Sequence, residues 1–154
     1  MQSKSSTQTV VGLAYRPKPL QPMQTVAAAE LTLEQGLVGD ARGRPGNRQV
    51  TLLAASDWQT VCRELGAQLP WTLRRSNILL DGEWDWPSLS GRHLRVGEAL
   101  LELTIEIDPC SRMDAQQPGL TGALTPNWRG GIGASVIEAG PVAVGSPVQL
   151  LGAE

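Results

Sequence analysis

The sequence predicts a mostly β fold, an antiparallel sheet or barrel with one regular helix, on three observations. Glycine and proline punctuate the chain, 17 and 11 of 154 residues, so its elements are short and its turns many. "LELTIEID" (101–108) alternates apolar and polar residues, as a half-buried strand requires. One stretch alone, "SDWQTVCRELG" (56–66), carries apolar residues at helical spacing. Closing the sheet removes the unpaired edges that an open one presents.

The length of 154 residues suits one domain, expected over 9–154 behind a disordered tail of 1–8. "TVVGLAY" (9–15) is β-prone and is stopped by "RPKPLQP" (16–22), whose prolines cannot join a sheet ladder. "TVAAAELTL" (25–33) reads as a strand, and "GLVGDARGRPGNRQ" (36–49) as a glycine- and arginine-rich loop. "VTLLA" (50–54) is apolar enough for a buried strand and leads into the helix, about 56–65. There Ser56 and Gln59 fit a capping box, and Gly66 fits the stop. Trp58, Val61, Cys62 and Leu65 form the inward face, where Cys62 acts as a small hydrophobe.

"NILLDG" (77–82) reads as a strand running into an Asp-Gly turn, followed by an irregular segment with two tryptophans, "EWDWPSLSG" (83–91). In 101–108, Leu101, Leu103, Ile105 and Ile107 are expected to face inward. Residues 115–131 hold too many breakers for more than short helical turns, and 133–151 read as a closing pair of strands around "EAGP".

Charge and composition remove several functional classes. The net charge of −2 lacks the basic footprint of a nucleic-acid binder. No apolar run approaches the roughly 20 residues of a membrane span. The opening "MQSKSSTQTV" has no signal-peptide character and two cysteines make no disulfide scaffold, so a cytoplasmic protein with free thiols is expected. A single histidine, His93, expected to face solvent, excludes a histidine-rich zinc site. No Walker-type phosphate loop is present. Lys4 and Lys18 are poorly placed for a Schiff base, so pyridoxal phosphate is not expected to be held covalently. The other basic residues are all arginines, whose planar fork suits phosphates and carboxylates, so a small anionic ligand is expected.

"IDPCSRMD" (107–114) ends the alternating strand and delivers Cys110 beside Arg112 and Asp114. Two readings stand together here. Cys110 is either a plain strand-end residue next to a surface ion pair, or a thiol activated by a neighbouring cation.

Several pieces, in order, make the chain resemble a MOSC domain, the module named for the carboxy-terminal part of molybdenum cofactor sulfurases. They are "GLVGD" (36–40), "RQVTLL" (48–53), "RRSNILLDG" (74–82), "LRVGEALLELT" (94–104), "PCSRMD" (109–114), "WRGGI" (128–132) and "VGSPVQL" (144–150). The resemblance implies a compact β-barrel associated with the molybdenum cofactor (molybdopterin). It makes Cys110 the molybdenum ligand or sulfur carrier, and sets Asn77, with Arg75 before it, on the cofactor side. Arg48 becomes a phosphate or pterin contact, while Arg112, Asp114 and Arg129 are expected to line the pocket. Arg48, Arg75 and Arg129 are expected to converge at one mouth. Many members place a histidine after the "GD" turn, where this chain has Ala41 and Arg42. The separate amino-terminal barrel and the aminotransferase-like domain of larger relatives are not recognised.

Two functional classes follow. One is a molybdenum-dependent reductase of N-oxygenated small molecules, fed by a separate reductase because two cysteines are too few for a four-cysteine cluster. The other is a carrier that holds the cofactor, or a sulfane sulfur on Cys110, and exchanges it with a donor protein. A ligand-free structural barrel is the third reading. A monomer or a homodimer would serve any of them.

Overall fold

The computed structural model of the chain describes residues 8–109 and 113–151. Its strands are β1 (Gln8–Tyr15), β2 (Gln24–Val26), β3 (Ala28–Thr32), β4 (Gly36–Leu37), β5 (Val50–Ala54), β6 (Ile78–Leu80), β7 (His93–Val96), β8 (Ala99–Glu106), β9 (Ile132–Glu138), β10 (Gly140–Ala143) and β11 (Pro147–Leu150). Four helices, α1 (Ala55–Leu65), α2 (Trp86–Leu89), α3 (Met113–Gln116) and α4 (Leu120–Leu124), and two 3₁₀ turns complete it.

Seven strands close into a ring in the order β11-β7-β8-β9-β5-β6-β1, sealed where β1 meets β11, with β2 attached outside on β1. Strands β10, β3 and β4 form a second, small sheet. Of the sheet or barrel expected from alternation and turn density, the closed barrel that the family resemblance implies is present. Among the described strands β5 and β6 are the one parallel pair, and a parallel pair needs a crossover. Residues 55–77 supply it, with α1 as its helix.

β5 explains why "VTLLA" carries no polar alternation. Val50, Leu52 and Ala54 enter the main core, while Leu53 turns to a second cluster with Trp58 and Val61 of α1 and Leu120 and Leu124 of α4. The strand is buried on both faces, so both need apolar side chains. On α1, Trp58 and Val61 are buried, and Cys62 and Leu65 are half-buried against the same cluster. The Cys62 thiol approaches the Leu69 carbonyl oxygen at 3.9 Å, a weak contact.

Several local expectations are corrected. The helix starts at Ala55 without a side-chain cap, because the Ser56 hydroxyl donates to the Gly82 carbonyl at 3.2 Å instead. Gly66 does stop the helix, in the left-handed conformation. The 25–33 stretch breaks at Ala27, so that β2 joins the barrel and β3 the small sheet. "EAGP" joins strands of different sheets, since β9 pairs with β5 and β8 whereas β10 pairs with β3. The register of β8 against β9 shifts between Leu103 and Glu106, which spoils the alternation and leaves Ile105 exposed. The segment with two tryptophans contains the helical turn α2, and Trp84 just before it stacks on Trp86 in the core at 5.2 Å between ring centres.

Backbone packing gives a direct test. A Cβ on Gly131, at φ +109°, would lie 2.3 Å from the Leu52 carbonyl oxygen, whereas one on Gly122 in α4 would meet nothing within 4 Å. Gly131→Ala should cost at least about 2 kcal/mol in urea denaturation. Gly122→Ala should stabilise the chain by about 0.5–1 kcal/mol.

Candidate functional site

A cleft of about 850 Å³ opens where the loop after β1, the 40–42 turn, the 70–77 segment and the end of β8 meet. Five arginines line it (Arg16, Arg42, Arg48, Arg74 and Arg75) against two acids, Asp40 and Asp108. Leu20, Pro22 and Met23 of the proline-rich segment form an apolar lip, with Leu20 95% exposed at φ +71°.

Arg74 ends the 3₁₀ turn Trp71–Arg74 and is only 9% exposed. Its Nε donates to Gly130 O at 2.9 Å, and Nη2 donates to Ile107 O at 2.5 Å and Asp108 O at 3.4 Å. Nη1 lies 3.9 Å from Met113 Sδ. The guanidinium thus holds both stems of the segment that contains Cys110. Gly130 is required beside it, since a Cβ there would sit 2.9 Å from Nη2. Burial, then the charge of Arg75, pushes the Arg74 pKa down to about 10, so it stays a cation at neutral pH.

Arg75 follows in the left-handed conformation at φ +63°, which turns the chain so that adjacent arginines serve different purposes, one buried and one exposed at the cleft. Asn77 also lines the cleft, but its amide stitches strands together. Oδ1 accepts from the Thr51 N–H at 3.0 Å and the Thr51 hydroxyl at 3.2 Å, and Nδ2 donates to Ala14 O at 3.2 Å. At the end of β8, partial burial, then the charge of Asp108 and a hydrogen bond with it, raises the Glu106 pKa above its usual range.

Domain-family comparison decides the class of this barrel: the MOSC domain family model matches residues 29–149. The chain belongs to the MOSC family. No curated protein sequence matches it. Solved structures share the fold. The YuaD protein of Bacillus subtilis superposes with a TM-score of 0.79 at 17% identity, covering 97% of this chain and 98% of that one. YiiM of Escherichia coli superposes at 0.73 with 22% identity, over 97% and 72% of the two chains. YiiM of Geobacillus stearothermophilus gives 0.75 with 17% identity, over 94% and 75%.

In this MOSC domain the sequence-based site residues divide. Arg48, Arg75 and Asn77 line one cleft. Cys110 and Arg112 lie outside the described residues. Arg129 does not converge with the other two arginines; its Nη1 donates to Glu64 Oε1 at 2.9 Å and to Ala123 O at 3.0 Å, which ties α1 to α4. Asp114 is outside the lining too, and its Oδ1 accepts from the Thr121 N–H at 2.9 Å. Sequence reasoning missed Arg16, Arg42 and Arg74. Arg74 was signalled by the doubled arginine of "RRSN", whereas Arg16 stood in a segment that its prolines marked as mere connection. Among the described residues no three His, Cys, Asp or Glu side chains gather as a metal site.

Near Arg129, Asp57 in the first turn of α1 has a buried Oδ2 with no hydrogen-bond partner among the described residues. Burial pushes its carboxyl from 3.8 up to about 6, against the pull of Arg129 and with a further push from Glu83. The folded state therefore holds this proton more tightly than the unfolded one. The resulting stability is complete below about pH 3.8 and is lost as pH rises through about 6. Asp57→Asn should melt higher than the parent near pH 7, and the gap should close at or below pH 4. Thermal melts across that range check it.

Arg74 gives the second test here. Arg74→Met leaves the carbonyls of Gly130 and Ile107 without this donor, and should cost about 2–4 kcal/mol in urea denaturation. Lysine should recover only part of that, because one ammonium cannot span the separated carbonyls.

Proposed function

We propose that this MOSC domain binds the molybdenum cofactor in the arginine-lined cleft and reduces N-oxygenated small molecules with electrons from a separate reductase. The observation that carries the reading is the cleft itself, five arginines against two aspartates beside both stems of the Cys110 segment. Guanidinium donors fit the phosphate and the oxygen-rich rim of a pterin cofactor, and a thiolate suits a soft metal. When bound, the cofactor supplies the two-electron oxygen-transfer chemistry.

The chain's own residues have three tasks. Cys110 is the thiol that holds the metal, with Arg112 beside it in sequence favouring the thiolate. Arg48 and Arg75, both exposed at the cleft, contact the anionic cofactor, and Asn77 keeps β1, β5 and β6 in register beneath it. Reduction of a hydroxylamine, R–NHOH + 2e⁻ + 2H⁺ → R–NH₂ + H₂O, consumes protons. Asp108 lines the cleft and hydrogen-bonds Glu106, whose carboxyl retains its proton to higher pH than an ordinary one, so the pair is placed to deliver them.

Protein made in a cofactor-competent host should carry about one molybdenum per chain after gel filtration, measured by elemental analysis. It should turn over N-hydroxylated compounds when given a reductant. Cys110→Ser should fold with an unchanged melt and lose the metal, whereas Cys62→Ala should keep it and cost about 0.5–3 kcal/mol of stability. Retention of molybdenum without turnover would identify a carrier. Equal metal loss in both variants would remove Cys110 from the role.

A further inference from the structure

We infer that the outer rim of the cleft, Leu20 with Lys18 and Arg44, is the docking surface for a small acidic electron-carrier protein. The inference rests on the reductase reading and adds what that reading leaves open, the kind of donor and where it binds. Leu20 is the apolar anchor of this surface, and the two cations are its steering charges.

Leu20 stands where the fold does not ask for it. The Gln21 N–H donates to Lys18 O at 3.3 Å, closing a turn over 18–21. Pro19 takes the second position, which suits its fixed φ, and Leu20 takes the third at φ +71°. That third position calls for glycine or asparagine, since a bulky side chain there is strained. Burial offers the leucine no return, because it is 95% exposed. A large apolar side chain that is both strained and unburied in the free chain has the character of an interface anchor.

The charge around it is one-sided. Lys18 and Arg44 are exposed, and neither is among the residues that line the cleft. Among the described residues neither joins an ion pair. Neither 16–29 nor 41–56 contains an acidic residue, in a chain whose net charge is −2. The two loops are held side by side by their main chains. The Ala41 N–H donates to Arg16 O at 2.7 Å, and the Arg16 N–H donates to Asp40 Oδ1 at 2.9 Å. Arg44 is carried on a braced support, where Gln49 Nε2 donates to Gly43 O at 3.2 Å and the Ser135 hydroxyl to Gly46 O at 2.8 Å.

An apolar anchor inside a charged rim is the usual anatomy of a protein–protein contact. Its small extent fits a transient redox encounter, which buries less than about 1,200 Å² and depends on charge for its rate. One leucine and two cations make too small a face for a bilayer or a polyanion. Two reduced carriers, docking in turn, are each oxidised by one electron. Those two electrons, with two protons, convert R–NHOH to R–NH₂ and water.

The probes are a plant-type ferredoxin and a flavodoxin, both small acidic carriers, titrated calorimetrically into the full chain without cofactor. At least one should bind, and its binding should weaken as salt is raised. Lys18→Glu combined with Arg44→Glu should weaken it by about tenfold or more, and Leu20→Asn by about fivefold. Leu20→Asn should also melt at or above the parent, because asparagine tolerates the left-handed turn position. In cofactor-loaded protein the double charge reversal should lose carrier-supported turnover and keep its turnover with dithionite, which needs no docking. No binding by either carrier, or binding that these variants leave unchanged, would overturn the inference. So would a Leu20→Asn variant that melts lower, an equal loss of dithionite-supported turnover, or binding to anionic lipid vesicles in place of the carriers. Carrier binding of the expected kind by a chain that retains no molybdenum in a cofactor-competent host would overturn the reductase reading alone.

Discussion

Arg74 reaches from the end of a 3₁₀ turn to the carbonyls of Ile107, Asp108 and Gly130, joining the exit of β8 to the entry of β9. Each carbonyl would otherwise need a partner in a partly closed space, and a single planar cation serves all three. Around this contact the sequence is restricted on every side. Gly130 must lack a Cβ, and Gly131 must take a positive φ so that its backbone can close on Leu52. Arg75 must turn away in the left-handed region. The "RR" and "GG" pairs, far apart in the chain, are two halves of one contact.

The barrel supplies the complementary constraint. Its parallel β5–β6 pair sends the chain out through α1 and back through the turn that ends in Arg74, so the crossover that makes the fold possible also carries an arginine to the cleft floor. Asn77 then locks the return, bonding to Thr51 on β5 and Ala14 on β1. Fold and site thus share residues here. A cleft residue that looks free to specialise in ligand contact is already committed to strand pairing.

What the sequence made legible follows from how local each signal is. Alternation in 101–108, the helical stripe from Trp58 to Leu65 and the glycine stop at 66 are written within a few residues, and each corresponds to an element of the structure. The Ser56 cap was written there too, but a competing acceptor at Gly82, distant in sequence, claimed the hydroxyl. The site was only half legible for the same reason. A spaced motif reveals that arginines are present, not which guanidinium meets carbonyls, a carboxylate or open space. Arg129 met Glu64, Arg74 met backbone, and Arg16, hidden in a proline-rich connection, lines the cleft.

The seal between β1 and β11 places a condition on how the molecule is made. Gln8 pairs with Val148 and Thr9 with Pro147, so this end of the ring's earliest strand remains an open edge until its latest strand arrives. The small sheet has the same dependence, since β3 waits for β10. Contacts so distant in sequence are slow to form, because a long loop must be closed before any pairing rewards it. During synthesis β2 and β6 can cover Val10–Tyr15 early, whereas the Gln8–Thr9 end waits for nearly the whole passage of the chain, and this open edge should make unfinished chains prone to associate during production.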